Sequence, residues 1–354
     1  MKKRGEIEGM KGIERRKKVA FIYYKNFSSF IKNDYDILSN HYSVEEVKVE
    51  SLKDMPRLAS AIMRCDISFT WFAGEHAFPV ILLSKVLRKK SIVVAGGYDV
   101  ANEQGIDYGL MRDQKSKPAR MAIFVLKHAD KVLAVSNFNR REILNYIGSD
   151  TVELAYNGVD CDLFKPKGEK DLDLIMTVGG VTKENLRKKG LEAFVKTAAH
   201  LPEARFMLVG QAYDNAIDHL KAIAPSNVEF AGYLPLDRLL KSYQEAKVYC
   251  QLSYHESFGL SLAEAMACGC VPVVTDRGAL PEVVGDTGFY VPYGDVEETS
   301  EGIKRALNSD LGKAASERVR RAFALEIRER ELVKLIEILS KENPNGNDES
   351  NRCR

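Results

Sequence analysis

Several signatures are missing from this 354-residue sequence, and each absence removes a class of function. The six cysteines (Cys65, Cys161, Cys250, Cys268, Cys270 and Cys353) contain no Cys-x-x-Cys pair. Cys268-Gly-Cys270 is too tight, and too short of partner ligands, to hold zinc. Scattered thiols of this kind read as small buried side chains in a reducing compartment, so a cytoplasmic location is expected. No run of about 18 apolar residues occurs, which leaves no candidate membrane-spanning helix. The opening MKKRGEIEGMKGIERRKK is charged and has no apolar core, so it is not read as a signal peptide. No Gly-x-Gly-x-x-Gly follows a predicted strand, and no Gly-x-x-x-x-Gly-Lys-Ser/Thr occurs, which argues against an NAD-dependent dehydrogenase and a P-loop ATPase. No Asp-x-Asp pair opens directly after a predicted strand to hold a divalent metal. Nor is there an excess of either charge: 52 Lys and Arg against 50 Asp and Glu give +2, and a nucleic-acid role gains nothing from that balance. Internal repeats are also absent.

What is present is a chain with 45% hydrophobic residues, enough for two cores. Strand-like segments at Val19–Tyr24, Val44–Val49 (alternating), Ile67–Trp71, Ile92–Ala95, Lys131–Ser136 and Val152–Ala155 are separated by helix-sized segments, as in a parallel doubly wound sheet. Asn157-Gly158 is turn chemistry and marks a boundary. The alternation restarts at Leu174–Val178 and continues through Phe206–Gly210, Val228–Gly232, Val248–Leu252, Val271–Thr275 and Gly288–Val291. The expected division is a basic lead over 1–17, a first Rossmann-like domain over 18–157, and a second over 158–316. A terminal helix over 317–340 and a polar, disordered tail over 341–354 complete it. The lead carries Lys3, Arg4, Lys11, Arg15, Arg16, Lys17 and Lys18. A solvated tail is its plainer reading, and a peripheral contact with anionic lipid on the inner membrane face is the functional one.

One stretch organises the second half: SYHESFGLSLAEAMACGCVPVVTDRGALPEVVGDTG, from Ser253 to Gly288. Gly259 lets a ligand approach the backbone, and Leu260–Ala267 is rich in helix formers until Cys268-Gly269 and Pro272 end it. The pattern predicts a loop entering a helix N-terminus, whose free N–H groups favour an anion. Glu256 stands on the loop and Glu264 about one turn into the helix. Carboxylates beside an anion site suit a ligand with both phosphates and hydroxyls, as a nucleotide-sugar has.

The spacing Glu256-x7-Glu264, with Ser257-Phe258-Gly259-Leu260 and Glu264-Ala265-Met266-Ala267 inside it, resembles glycosyltransferase family 4, whose members are retaining transferases of the GT-B fold. Gly278-Ala279-Leu280-Pro281-Glu282-Val283-Val284, Asn157-Gly158-Val159-Asp160 and Lys189-Gly190 are also similar to it. The resemblance covers the C-terminal half well and the N-terminal half poorly. It implies two Rossmann-like domains facing a cleft, and a terminal helix that crosses back to the first. Glu264 would hold ribose hydroxyls and Glu256 would face the sugar. The amides of Phe258, Gly259 and Leu260, with Ser257, would contact sugar or phosphate, and Lys189 would neutralise the departing diphosphate. The family's partner arginine normally follows the glycine at the end of the strand before Lys189. Gly179-Gly180 stands there, so Arg187 or Lys188 is left to substitute.

Two departures fall on the first domain. Ser28 and Ser29 replace the glycines expected in the first, acceptor-facing loop. Tyr98-Asp99 replaces a histidine, which makes Asp99 a catalytic candidate and, equally, a Gly-Gly-x-Asp turn residue. His76 is a weaker acceptor-side candidate, with a structural role the better reading. The sequence thus points to transfer of a sugar from a nucleotide-sugar to a sugar, lipid-linked or other hydroxyl acceptor, with no metal or other cofactor and no nucleic acid. A nucleotide-sugar epimerase on the same fold and a non-catalytic nucleotide-sugar-binding protein are the alternatives; an epimerase needs no acceptor, and a binder turns nothing over.

Overall fold

The computed structural model describes residues 16–341. Most of the basic lead and nearly all of the polar tail therefore lie outside the described residues. The first sheet contains β1 (Lys18–Tyr24), β2 (Ser43–Val49), β3 (Ile67–Trp71), β4 (Lys90–Ala95), β5 (Lys131–Ala134) and β6 (Val152–Leu154), ordered β2-β1-β3-β4-β5-β6. The second contains β7 (Asp171–Val178), β8 (Arg205–Val209), β9 (Val228–Gly232), β10 (Ala246–Gln251), β11 (Val271–Thr275) and β12 (Phe289–Val291), ordered β12-β11-β10-β7-β8-β9. Every pairing is parallel. Both sheets are thus doubly wound. Their inner strands are buried because helices cover both faces: β3 and β11 are buried at every position, including the hydroxyl residues Ser68, Thr70 and Thr275.

Strand order decides where a ligand can sit. In an open parallel sheet the crevice lies beyond the strand ends at the point where the winding reverses. That point falls between β1 and β3 in the first sheet and between β7 and β10 in the second. The loops after β7 and β10 carry Gly179-Gly180 and Ser253–Gly259, so the topology itself opens a crevice at the organising stretch.

The first-domain helices are α1 (Ser29–His41), α2 (Met55–Arg64), α3 (Ala77–Val86), α4 (Lys117–His128) and α5 (Asn137–Leu144). Those of the second are α6 (Lys183–Lys188), α7 (Leu191–Thr197), α8 (Ala216–Ile223), α9 (Leu236–Glu245), α10 (Leu260–Ala267), α11 (Leu280–Val284), α12 (Val296–Leu307) and α13 (Leu311–Ala322). The last helix, α14 (Leu325–Lys341), packs on α1 of the first domain. The segment before Lys189 contains α6, which Thr182 caps by accepting from Asn185 N at 3.1 Å. Two expectations about the terminal helix need correction. The terminal helix begins earlier than residue 317 and is broken at Phe323-Ala324. The break has a cause: Val159 N donates to Phe323 O at 2.8 Å and Leu325 N to Val159 O at 2.9 Å. The outgoing linker and the returning chain therefore form a small parallel bridge instead of a continuous helix.

A buried ion pair fixes the return. Arg328, 2% exposed, sits on α14 and bonds Asp34 of α1 through Nε and Nη2, the latter at 2.7 Å. Its Nη1 donates to Ala155 O at 2.7 Å and Tyr156 O at 2.9 Å, and Trp71 Nε1 donates to Asp34 at 3.0 Å. Both charges keep hydrogen-bonding partners, which is the condition for burying such a pair.

Candidate active site

A cavity of about 360 Å³ lies between the two sheets, within the usual ~300–1,000 Å³ of small-molecule sites. The second domain lines it with Val178, Lys188, Lys189, Leu239, Tyr243, residues 255–261 and Glu264. The first domain adds Ser29, Phe30, Trp71, Gly96, Tyr108, Val135 and Asn157.

Local chain geometry aims the charged groups. Gly259 caps α10 at φ +91°, a left-handed conformation that an L side chain resists. No side chain caps this end, and Ala263 N is the first to bond back, to Gly259 O at 3.0 Å. The amides of Leu260 and Ser261 therefore remain available at the cavity wall. Thr275 Oγ1 donates to Ser253 O at 2.6 Å and Ala279 N to Glu256 O at 2.8 Å, which pins the Glu256 loop to β11 and the α11 segment. Lys189 ends α6, and its Nζ lies 3.2 Å from Glu256 Oε2. Gln251 Nε2 and Ser253 Oγ complete the shell of that carboxylate at 3.3 and 3.4 Å.

The two glutamates are held in opposite states. Burial works to raise the Glu256 carboxyl, but the ammonium groups of Lys189 and Lys188 outweigh it and hold it below its ordinary value. Glu264 has no such neighbour. Burial pushes it up to about 8, against a weak hydrogen bond from Tyr243 Oη at 3.3 Å. Glu256 is therefore a carboxylate, and Glu264 holds its proton at neutral pH.

Of the residues expected from the sequence, Ser29, Lys188, Lys189, Glu256, Ser257, Phe258, Gly259, Leu260 and Glu264 all meet at this cavity. Lys188 lines the cavity and Arg187 does not. Lys188 Nζ lies 4.0 Å from the centre of the Tyr108 ring across the cleft, and burial lowers its pKa. Arg187 is exposed and turns away, donating to Gly105 O at 3.2 Å. Gly179 and Gly180 stand behind the wall; a Cβ on Gly179 would lie 3.0 Å from Lys189 Cδ, so that glycine leaves room for the lysine stem.

Asp99 is 3% exposed, lies outside the cavity wall, and accepts from Ala73 N and Gly97 N, both at 2.8 Å. It thereby ties the loops after β3 and β4 together. His76 also lies outside the wall, bonded to Trp71 O at 2.8 Å and stacked on Tyr24. Ser28 caps α1 by backbone geometry only, and its buried Oγ has no partner. The three Asp-x-Asp pairs of the chain also lie outside the wall. Asp34 binds Arg328, Asp160 accepts from the Asp162 and Leu163 amides at 3.0 Å, and Asp171 pairs with Arg205. Among the described residues, Glu103, Glu142 and His255 have ligand atoms within 4.8 Å of one another, but His255 Nε2 and Glu142 Oε1 already share a 2.8 Å hydrogen bond.

Sequence reasoning missed Tyr243, Tyr108, Phe30, Trp71 and His255. Trp71 sits in an apolar strand and reads as core, Phe30, Tyr108 and Tyr243 stand in no motif, and His255 is masked by the stronger signal of Glu256 beside it.

Residues 162–323 match the family described as glycosyl transferases group 1. This match covers a little under half of the chain. Among curated proteins, the chain is 28% identical over 206 residues to a D-inositol 3-phosphate glycosyltransferase of Mycobacteroides abscessus, covering 52% of this chain and 45% of that protein. It is 30% identical over 208 residues to a phosphatidyl-myo-inositol mannosyltransferase of Mycolicibacterium smegmatis, covering 53% and 52%. The chain thus spans about half the length of the curated relatives it matches. Among solved structures, sucrose-phosphate synthase of Thermosynechococcus elongatus superposes with a TM-score of 0.76 at 18% identity, over 92% of this chain and 100% of that one. Anabaena Alr3699/HepE, in complex with UDP and glucose, gives 0.76 at 15% identity, over 91% and 100%. The fold is GT-B, and the matched segment supplies every charged residue of the cavity wall.

Proposed function

We propose that the chain is a retaining hexosyltransferase that moves a sugar from a nucleotide-sugar to a hydroxyl acceptor without a metal. The observation that carries this reading is the Lys189–Glu256 pair, 3.2 Å apart, set beside the uncapped N-terminus of α10 and facing Glu264 in an interdomain cavity. Lys189, Lys188 and the α10 amides supply fixed positive charge for a diphosphate. Glu264 takes the ribose hydroxyls and Glu256 the sugar hydroxyls. The bond from the anomeric carbon to the diphosphate oxygen breaks as the acceptor oxygen bonds to that carbon. With retention the acceptor enters on the face the diphosphate leaves, so its proton passes to the departing oxygen. The position of Asp99 outside the cavity wall fits this route, since among the described residues the first domain lines that wall with no carboxylate or imidazole.

The neighbour crystallised with UDP and glucose supports a nucleoside-diphosphate-sugar donor. The phosphatidyl-inositol mannosyltransferase supports a hexose and keeps a lipid-linked acceptor in view. The described cysteines are buried free thiols, which fits a cytoplasmic site of action. No helix among the described residues is long and apolar enough to cross a membrane, so a lipid-linked acceptor would be met at the surface. A thermal-shift screen of nucleotide-sugars tests the reading. A true donor at 100 times its dissociation constant adds about 2.7 kcal/mol of stability. With acceptor present, NMR of the product should show the donor's anomeric configuration. Epimerised donor without any acceptor, or binding with neither transfer nor hydrolysis, would contradict it.

A further inference from the structure

We infer that Glu142 on α5 is a positioning residue: through His255 it lets the first domain hold the loop that carries Glu256. The inference rests on the transferase reading for its kinetic part. His255 is 1% exposed, and its Nε2 lies 2.8 Å from Glu142 Oε1. Its ring packs 5.4 Å from Phe138 and 5.3 Å from Tyr108, both of the first domain. The residue next to Glu256 is therefore enclosed by the opposite domain. The side-chain partners of Glu256 itself, Lys189, Gln251 and Ser253, all belong to the second domain.

The other end of α5 is gripped as well. Glu282 accepts from Asn137 N at 2.8 Å, Asn137 Nδ2 at 2.6 Å, Phe138 N at 3.2 Å and Tyr156 Oη at 2.6 Å. A carboxylate at a helix N-terminus is favourably placed. Glu282 follows Ala279, whose N–H bonds Glu256 O, so both grips on α5 converge on the Glu256 backbone. Cleft opening would break both, and closure would re-form them as the catalytic loop takes its place. The groups assigned to the donor nucleotide lie in the second domain, so binding and positioning are separable.

The experiment compares Glu142→Ala and Glu142→Gln with wild type, using UDP, GDP and ADP as binding probes and the best donor for kinetics. A glutamine carbonyl still accepts from Nε2–H, so it keeps the contact. We expect Glu142→Ala to hold nucleotide affinity within twofold while kcat falls at least thirtyfold, and Glu142→Gln to recover kcat to within fivefold. Hydrogen exchange needs no substrate: amides at 253–258 should exchange faster in Glu142→Ala, with the rest of the second domain unchanged. Unchanged exchange at 253–258, a wild-type kcat in Glu142→Ala, affinity lost in step with kcat, or a Glu142→Gln as impaired as the alanine variant would each overturn the inference. If wild type binds and transfers nothing, the transferase reading fails, and the exchange result alone decides the positioning role.

Discussion

At the scale of single residues, the site depends on two carboxyls of the same chemistry held in different states. Glu264 is raised to about 8 by burial, so the folded, ligand-free chain binds a proton there that the unfolded chain releases near the ordinary carboxyl range. Between those values the unfolded state carries fewer protons at this group, and its contribution to stability falls as pH rises, levelling above about 8. Glu264→Gln should remove that loss and raise the ligand-free melting temperature at pH 9, yet weaken nucleotide binding. If ribose hydroxyls bind the carboxylate, wild-type affinity should climb as pH rises toward about 8, with proton release seen by calorimetry in buffers of different ionisation enthalpy. Flat affinity and no proton release from pH 6 to 9 would contradict that role. The two basic residues before Lys189 should also separate. Lys188→Ala should cost a large factor in rate, because Lys188 faces the cavity and lowers Glu256. Arg187→Ala should cost little, because Arg187 bonds a surface carbonyl. Equal effects in steady-state kinetics would remove this distinction.

At the scale of elements, what the sequence reveals depends on whether local chemistry or a distant contact sets the structure. The strands were legible because burial on both faces leaves apolar runs between turns, and Ile67–Trp71 and Val271–Thr275 match β3 and β11 to the residue. The loop-to-helix turn at Gly259 was legible from glycine followed by helix formers. Helix α12 went unplaced although Asp295 caps it, accepting from Glu298 N at 2.9 Å; its signal is a cap rather than an apolar stripe. The break between α13 and α14 had no local sign, because its cause is a bridge to Val159, more than 160 positions away in sequence. Asp99 was ambiguous for a similar reason: only the fold shows that Ala73 N reaches its carboxylate. The loop after β4 supplies a test at this scale. Gly97 sits at φ +132°, and a Cβ there would lie 2.1 Å from Ser257 Oγ across the cleft. Gly97→Ala should displace one wall from the other. Misplacement of about 1 Å is on the order of a hundredfold in rate, so kcat should fall tenfold or more with the fold retained by circular dichroism. Normal turnover would show that the two walls need not meet there.

At the scale of the whole molecule, two sheets with their reversal points turned toward each other create the crevice, and the return of α14 joins them. The linker at 157–161 and the chain at 323–325 cross side by side, and Arg328 and Asp34 lock the crossing from below. This arrangement puts the charged wall in one domain and sets the other opposite it. The central claim is that fixed groups of this chain, Lys189 foremost, stabilise the leaving diphosphate without a metal. The most direct measurement is acceptor-dependent release of nucleoside diphosphate from the identified donor in excess EDTA, for wild type and Lys189→Ala side by side. The account predicts an undiminished wild-type rate in EDTA and a Lys189→Ala rate lower by roughly a hundredfold or more, the scale of removing one transition-state donor. Loss of wild-type activity in EDTA with rescue by magnesium or manganese, or normal turnover by Lys189→Ala, would contradict it.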